Sequence, residues 1–198
     1  MYQIARKHGN LVLHDYVPKQ PTGDFPVFDT ITALQSYCYK GVNLGSGAAS
    51  VIISLLRDHE FDPTKKRAMV VDELALMRQV VDTLDVLSAQ LNPGMTYVFN
   101  GRMSQYAAVV QWCRMHEQPF RVYEFTSRRE KYHIVHNTIP HDVDYEAADI
   151  ETYWNNPQGS PEEKTTVGSE FYENTRRGIA MLEESFVTAQ KTGKLPPF

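Results

Sequence analysis

Cysteine is scarce: Cys38 and Cys113 are the only two in 198 residues. That excludes a disulfide framework and a four-cysteine zinc site. Both thiols fall in segments that read as helix, and a reducing cytoplasm suits them best. Long apolar runs are missing too, since nothing approaches the roughly eighteen consecutive apolar residues of a membrane span. The N-terminus lacks a basic-then-apolar signal pattern. The expectation is a cytoplasmic chain that neither crosses a membrane nor is exported. Nor is there an excess of cations: the net charge is −4 and the pI near 6.0. A nucleic acid or an anionic lipid surface would need a dense basic face, so neither is expected as a general partner. Finally, there is no Gly-x-Ser-x-Gly elbow, no Gly-x-Gly-x-x-Gly fingerprint and no lysine-terminated phosphate loop. Hydrolase and simple dehydrogenase readings lose their main support.

What is present has the order of an α/β protein. Met1 to His8 reads as a short helix, Leu11 to Asp15 as a strand, and the proline-rich Pro18 to Pro26 as a loop. From Phe28 to Tyr39, Ile31, Leu34, Tyr37 and Cys38 recur at three- and four-residue steps, which predicts one buried helical face. GVNLGSG interrupts that pattern, and Ala48 to Leu56 follows as a second buried helix. Arg67 to Leu91 keeps the helical period for about seven turns and stops at Asn92-Pro93-Gly94. TYVFNG then reads as a strand, Gln105 to His116 as an amphipathic helix and FRVYEF as a second strand. This is a βαβ unit with parallel strands. Beyond a polar, histidine-rich stretch, Tyr145 to Trp154 is helical, and a charged amphipathic helix or pair of helices runs to about Lys191. The fold class expected is α/β, a Rossmann-like parallel sheet. Residues 1–155 would form the domain, with a helical insertion over 28–91, and residues 156–198 a helical extension or linker.

Asn100, Gly101 and Arg102 lie at the carboxyl end of a parallel strand and the start of the next helix, the edge along which open α/β sheets bind ligands. Gly101 permits a tight turn, the helix start offers free amides, and Arg102 can clamp phosphate or carboxylate. The bland account is turn geometry with a solvated arginine. Glu124 ends the next strand, where a carboxylate can act as a general base or bind sugar hydroxyls, with Arg128 close by to neutralise phosphate. Equally, Glu124 could be a structural partner of Arg102. In LGSGAAS, the amides around Ser46 could hold an anion, or Ser46 could cap a helix whose small residues allow close packing. His133 and His136 would point to opposite faces of a strand, so no metal is expected. His141 and Asp142 read as ordering a loop or titrating near a ligand. Trp112 and Trp154 fit helix faces, with core packing expected for both.

Taken together, KGVNLGSGAASVIISLLR, the YVFNGR strand end, the VYEF strand and IPHDVDYEAADIETYW resemble the N-terminal region of bacterial capsule and surface polysaccharide glycosyltransferases. The resemblance covers about Leu34 to Asn155. FNGR after a strand is its most specific piece. It implies one half of a GT-B enzyme, in which two Rossmann-like domains face each other and transfer sugar from a nucleotide donor without a catalytic metal. The N-terminal half generally takes the acceptor and the C-terminal half the nucleotide sugar. Relatives are expected to carry His-Glu-Arg-Gly at the second strand end, where this chain has Tyr123-Glu124-Phe125-Thr126, so only the glutamate matches. The resemblance therefore implies Glu124 as catalytic base, Asn100 and Arg102 as ligand contacts, and a sugar or polysaccharide acceptor as partner. It also implies a missing C-terminal GT-B domain as partner, no resident cofactor, and peripheral membrane association only through partners. The alternative is a non-catalytic module that binds a nucleotide, sugar or protein through the same edge.

Overall fold

A computed structural model describes residues 24–125, 132–155 and 159–177. The readings for Met1 to His8 and Leu11 to Asp15, most of Pro18 to Pro26, and the tail beyond residue 177 lie outside the described residues. Among the described residues the chain is mixed α/β, with six helices, a three-stranded mixed sheet and a two-stranded hairpin. It divides into two compact units, one made of residues up to Val122 plus Val135–Ile139, the other of Tyr123–Ile134 and residues from Pro140 onward.

The first unit begins with α1 (Ile31–Gln35), where Thr30 accepts the Ala33 amide as a cap. The helix predicted to continue to Tyr39 does not. The chain instead forms β1 (Cys38–Tyr39) and β2 (Val42–Asn43), antiparallel about a two-residue turn. Lys40 and Gly41 both have positive φ, 49° and 83°, as the tight turn that suits the strand twist demands. Periodicity over Phe28 to Tyr39 could not reveal that a Lys-Gly turn outweighs helix continuation, and it misplaced Cys38, which lies in a strand.

Helix α2 (Gly45–Leu56) starts inside the glycine-rich stretch. A Cβ on Gly45 would run into the Leu34 carbonyl, and one on Gly47 would lie 2.6 Å from Ala107 and 2.7 Å from Met77. The small residues thus let three helices close on one another. Helix α3 (Arg67–Leu91) has the bounds read from its period, and it ends on Asn92 in the left-handed conformation. Its buried stripe runs through Val70, Leu74, Met77 and Val81 and packs mainly on α4 (Ser104–Met115). Burial of each such side chain stabilises by about 1.5–3 kcal/mol. Arg67 donates to the Phe25 and Pro26 carbonyls at 2.6 Å, and Arg78 lies 4.0 Å from the Phe25 ring centroid. Two arginines of α3 therefore hold the entering chain against the helix.

The sheet has the order β3 (Thr96–Phe99), β4 (Phe120–Phe125), β5 (Tyr132–His136). The Thr96 amide donates to Pro119 O at 3.0 Å, which aligns the starts of β3 and β4. At the opposite edge, Asn137 N–H donates to Phe120 O and Asn137 Oδ1 accepts the Phe120 amide. That places the end of β5 beside the start of β4. The sheet is therefore mixed, not the purely parallel one expected: β3-α4-β4 is the predicted crossover, and β5 returns beside β4. Val98, Phe120, Val122 and Val135 are buried. Cys113, on the buried side of α4, has its thiol pushed up to about 11 by burial, which makes it an inert packing group.

In the second unit, α5 (Val143–Asn155) and α6 (Pro161–Arg176) follow β5. Ser160 and Glu163 form a reciprocal capping box at the start of α6: the Ser160 hydroxyl accepts the Glu163 amide, and Glu163 Oε2 accepts the Ser160 amide. Trp154 is 79% exposed, so the expectation of core packing fails there, whereas Trp112 is buried. No helix among the described residues is long and apolar enough to cross a membrane.

Candidate functional site

The Asn-Gly-Arg turn in the first unit is built locally. Asn100 and Gly101 have φ of 59° and 76°, and Asn100 Oδ1 accepts the Arg102 amide at 3.1 Å. Asparagine and glycine are the residues that adopt this left-handed geometry most readily. A Cβ on Gly101 would sit 2.9 Å from Ile139 and 3.1 Å from Val110, so the position is closed by packing as well as by backbone. The turn sends the chain from β3 into α4 and leaves Arg102 exposed at the helix start. Turn chemistry thus accounts for two of the three residues, and Arg102 is the one whose side chain a ligand could meet.

Ser46 is occupied within the scaffold. Its hydroxyl donates to Gln35 O at 3.1 Å and its amide donates to Asn43 Oδ1. Asn43, not Ser46, is the capping side chain at the start of α2. Close packing and capping account for LGSGAAS with no ligand.

The second unit contains a pairing that no spacing rule suggested. Glu124 near the end of β4 and His141, seventeen positions later, approach to 3.1 Å between Oε2 and Nε2. Their side chains are 28% and 37% exposed, so both are reachable from solvent. His141 follows Pro140 in the turn that leads into α5, and Asp142 Oδ1 accepts the Tyr145 amide at 3.2 Å. Asp142 is thus the residue that begins the helix, which fits its expected loop-ordering role. Nearby in the same unit, His133 Nδ1 lies 3.9 Å from Glu146 Oε1, a buried oxygen without a hydrogen bond. In β5, His133 and Val135 share one face and His136 takes the other. Arg128 lies outside the described residues.

A further polar network in the first unit was not foreseen. Lys40 Nζ reaches Asp82 at 2.7 Å and Asp85 at 2.9 Å, while the Trp112 indole donates to Asp85 Oδ1 at 2.8 Å. Burial pushes the Asp85 carboxyl up, but the Trp112 N–H and the Lys40 ammonium outweigh it, leaving the group below its ordinary value. Hydrogen bonds to Asp82 and Asp85 hold the Lys40 ammonium well above its own. This network pins the β1-β2 turn to α3 and α4. The only signal in the sequence was Asp82 and Asp85, one helical turn apart.

Comparison of the chain with protein-family models, with curated proteins and with solved structures finds no match. The functional reading therefore rests on the residues and their geometry.

Proposed function

We propose that this chain is the acceptor-side, Rossmann-like part of a glycosyltransferase in capsule or surface polysaccharide biosynthesis. The observation that carries the reading is the Glu124–His141 pair, solvent-reachable and 3.1 Å apart near a strand end. With Nε2 carrying the proton, His141 donates to Glu124, and the carboxylate orients the ring and stabilises the imidazolium that forms. An acceptor hydroxyl that attacks the anomeric carbon of a nucleotide sugar must lose its proton as the bond to the nucleotide phosphate breaks. The pair takes that proton as a unit, at His141 Nδ1 or at the Glu124 carboxylate. In this reading a C-terminal GT-B domain holds the nucleotide-sugar donor, and peripheral membrane association runs through partners. Arg102, on the first unit, offers a separate contact for an anionic group.

Binding of oligosaccharide fragments of surface polysaccharides, followed by saturation-transfer NMR, tests the acceptor role. Arg102→Ala should weaken an anionic fragment by about 1.5–3 kcal/mol, the range of a charge-assisted hydrogen bond, at unchanged melting temperature. Unchanged affinity removes Arg102 as a ligand contact. Binding without any sugar transfer by the full natural protein would favour the non-catalytic module.

A further inference from the structure

Helix α5 is amphipathic the wrong way round. Its sequence, VDYEAADIETYWN, places Val143, Ala147, Ile150 and Trp154 at steps of four, three and four, which at 100° per residue gathers them on one narrow stripe. A surface helix normally turns such a stripe to the core. Here the stripe faces water: Val143, Ile150 and Trp154 are 78%, 65% and 79% exposed, and no residue of the helix is buried. The half-buried positions are Tyr145, Glu146 and Asp149, which are polar or amphipathic. Glu146 is the residue that approaches His133. The helix turns its polar side inward and presents its apolar side.

Charge determines what can cover it. Asp144, Glu146, Asp149 and Glu151 lie on α5, which has no lysine or arginine. Steps of four, three and four are those of a two-helix seam, and the exposed Asp144 and Glu151 then take positions that flank it. A second copy of α5 would set carboxylate against carboxylate across the seam, which is destabilising, whereas lysines or arginines there complement it. We propose that α5 is a docking helix for a helix of another protein that carries an apolar seam flanked by basic residues. The interaction does not depend on the glycosyltransferase reading.

A synthetic amphipathic peptide with leucine along the seam and lysine at the flanking positions probes this directly, with a glutamate-flanked version as control. Isothermal titration against the 198-residue chain should give saturable binding of the lysine peptide. Its affinity should fall about tenfold or more between roughly 50 and 500 mM salt, as screening removes the charge contribution. The glutamate peptide should bind at least about tenfold more weakly. Ile150→Asp should lower affinity for the lysine peptide about tenfold or more, although it adds a negative charge, with the melting temperature unchanged because Ile150 is exposed. Equal binding of the two peptides, or an Ile150→Asp variant that binds like the parent, would overturn the proposal. So would acrylamide quenching that shows Trp154 already shielded in the isolated chain, because the seam would then be covered from within. Sedimentation showing a dimer that Ile150→Asp dissociates would assign the seam to a second copy and equally overturn it.

Discussion

Helices α3 and α5 both have an apolar stripe at helical spacing, and they use it in opposite ways. In α3 the stripe Val70, Leu74, Met77 and Val81 is buried against α4 and α2. In α5 the stripe is the exposed side, and the half-buried side carries Glu146, whose carboxylate lies 3.9 Å from His133. Periodicity identifies a helix and its faces, but not which face the rest of the chain will cover. The first unit is held chiefly by apolar burial. The Glu146–His133 approach on α5 lies in partial solvent, where an ion pair contributes little.

The contrast can be broken by substitution. Leu74→Ala removes a fully buried side chain from the middle of α3 and should destabilise by about 2–5 kcal/mol, measured by urea unfolding. A loss below about 1 kcal/mol would mean that the α3 face is not tightly packed. Asp85→Asn should cost about 1–3 kcal/mol near neutral pH, because it removes a charged acceptor shared by Trp112 and Lys40. The sign of its pH dependence follows from the lowered Asp85 value. The stabilisation is fully present above the unfolded carboxylate value of about 3.9 and is lost as pH falls through the lower folded value. The gap between parent and variant should therefore close on acidification, and a gap that persists at the lowest pH would point to shape rather than charge. Trp154→Ala should change stability by no more than about 0.5 kcal/mol, as expected for an exposed position. A loss comparable to that at Leu74 would erase the distinction between the two helices.

The most legible parts of the sequence were those where burial imposes a single period. Arg67–Leu91 and the strand Phe120–Phe125 have the limits that period and breakers indicate, and α4 lies within one residue of its reading. Tyr37 to Val42 was not legible, because a hairpin closed by a two-residue turn mimics helical spacing over so short a span. Nor was the direction of β5, since alternation gives the faces of a strand and not its neighbour's orientation. At the candidate site, Glu124 could be singled out as a strand-end carboxylate and His141 as a loop histidine. Their pairing depends on how the chain returns from β5 through Pro140, which no local pattern encodes. The turn at Asn100 and Gly101 was legible as turn chemistry, and the left-handed backbone of both residues gives it a conformational reason.

Glu124 and His141 are proposed to act together on one proton during sugar transfer. A double-mutant cycle on kcat/KM, with Glu124→Gln, His141→Asn and the combined variant of the full natural protein assayed for transfer from nucleotide sugars to an oligosaccharide acceptor, tests it most directly. Glu124→Gln should lose about 100-fold or more, and the double variant should be no slower than His141→Asn alone, because groups that act as a unit are not additive. Parent-like turnover in either single variant, or losses that simply multiply in the double, would contradict it.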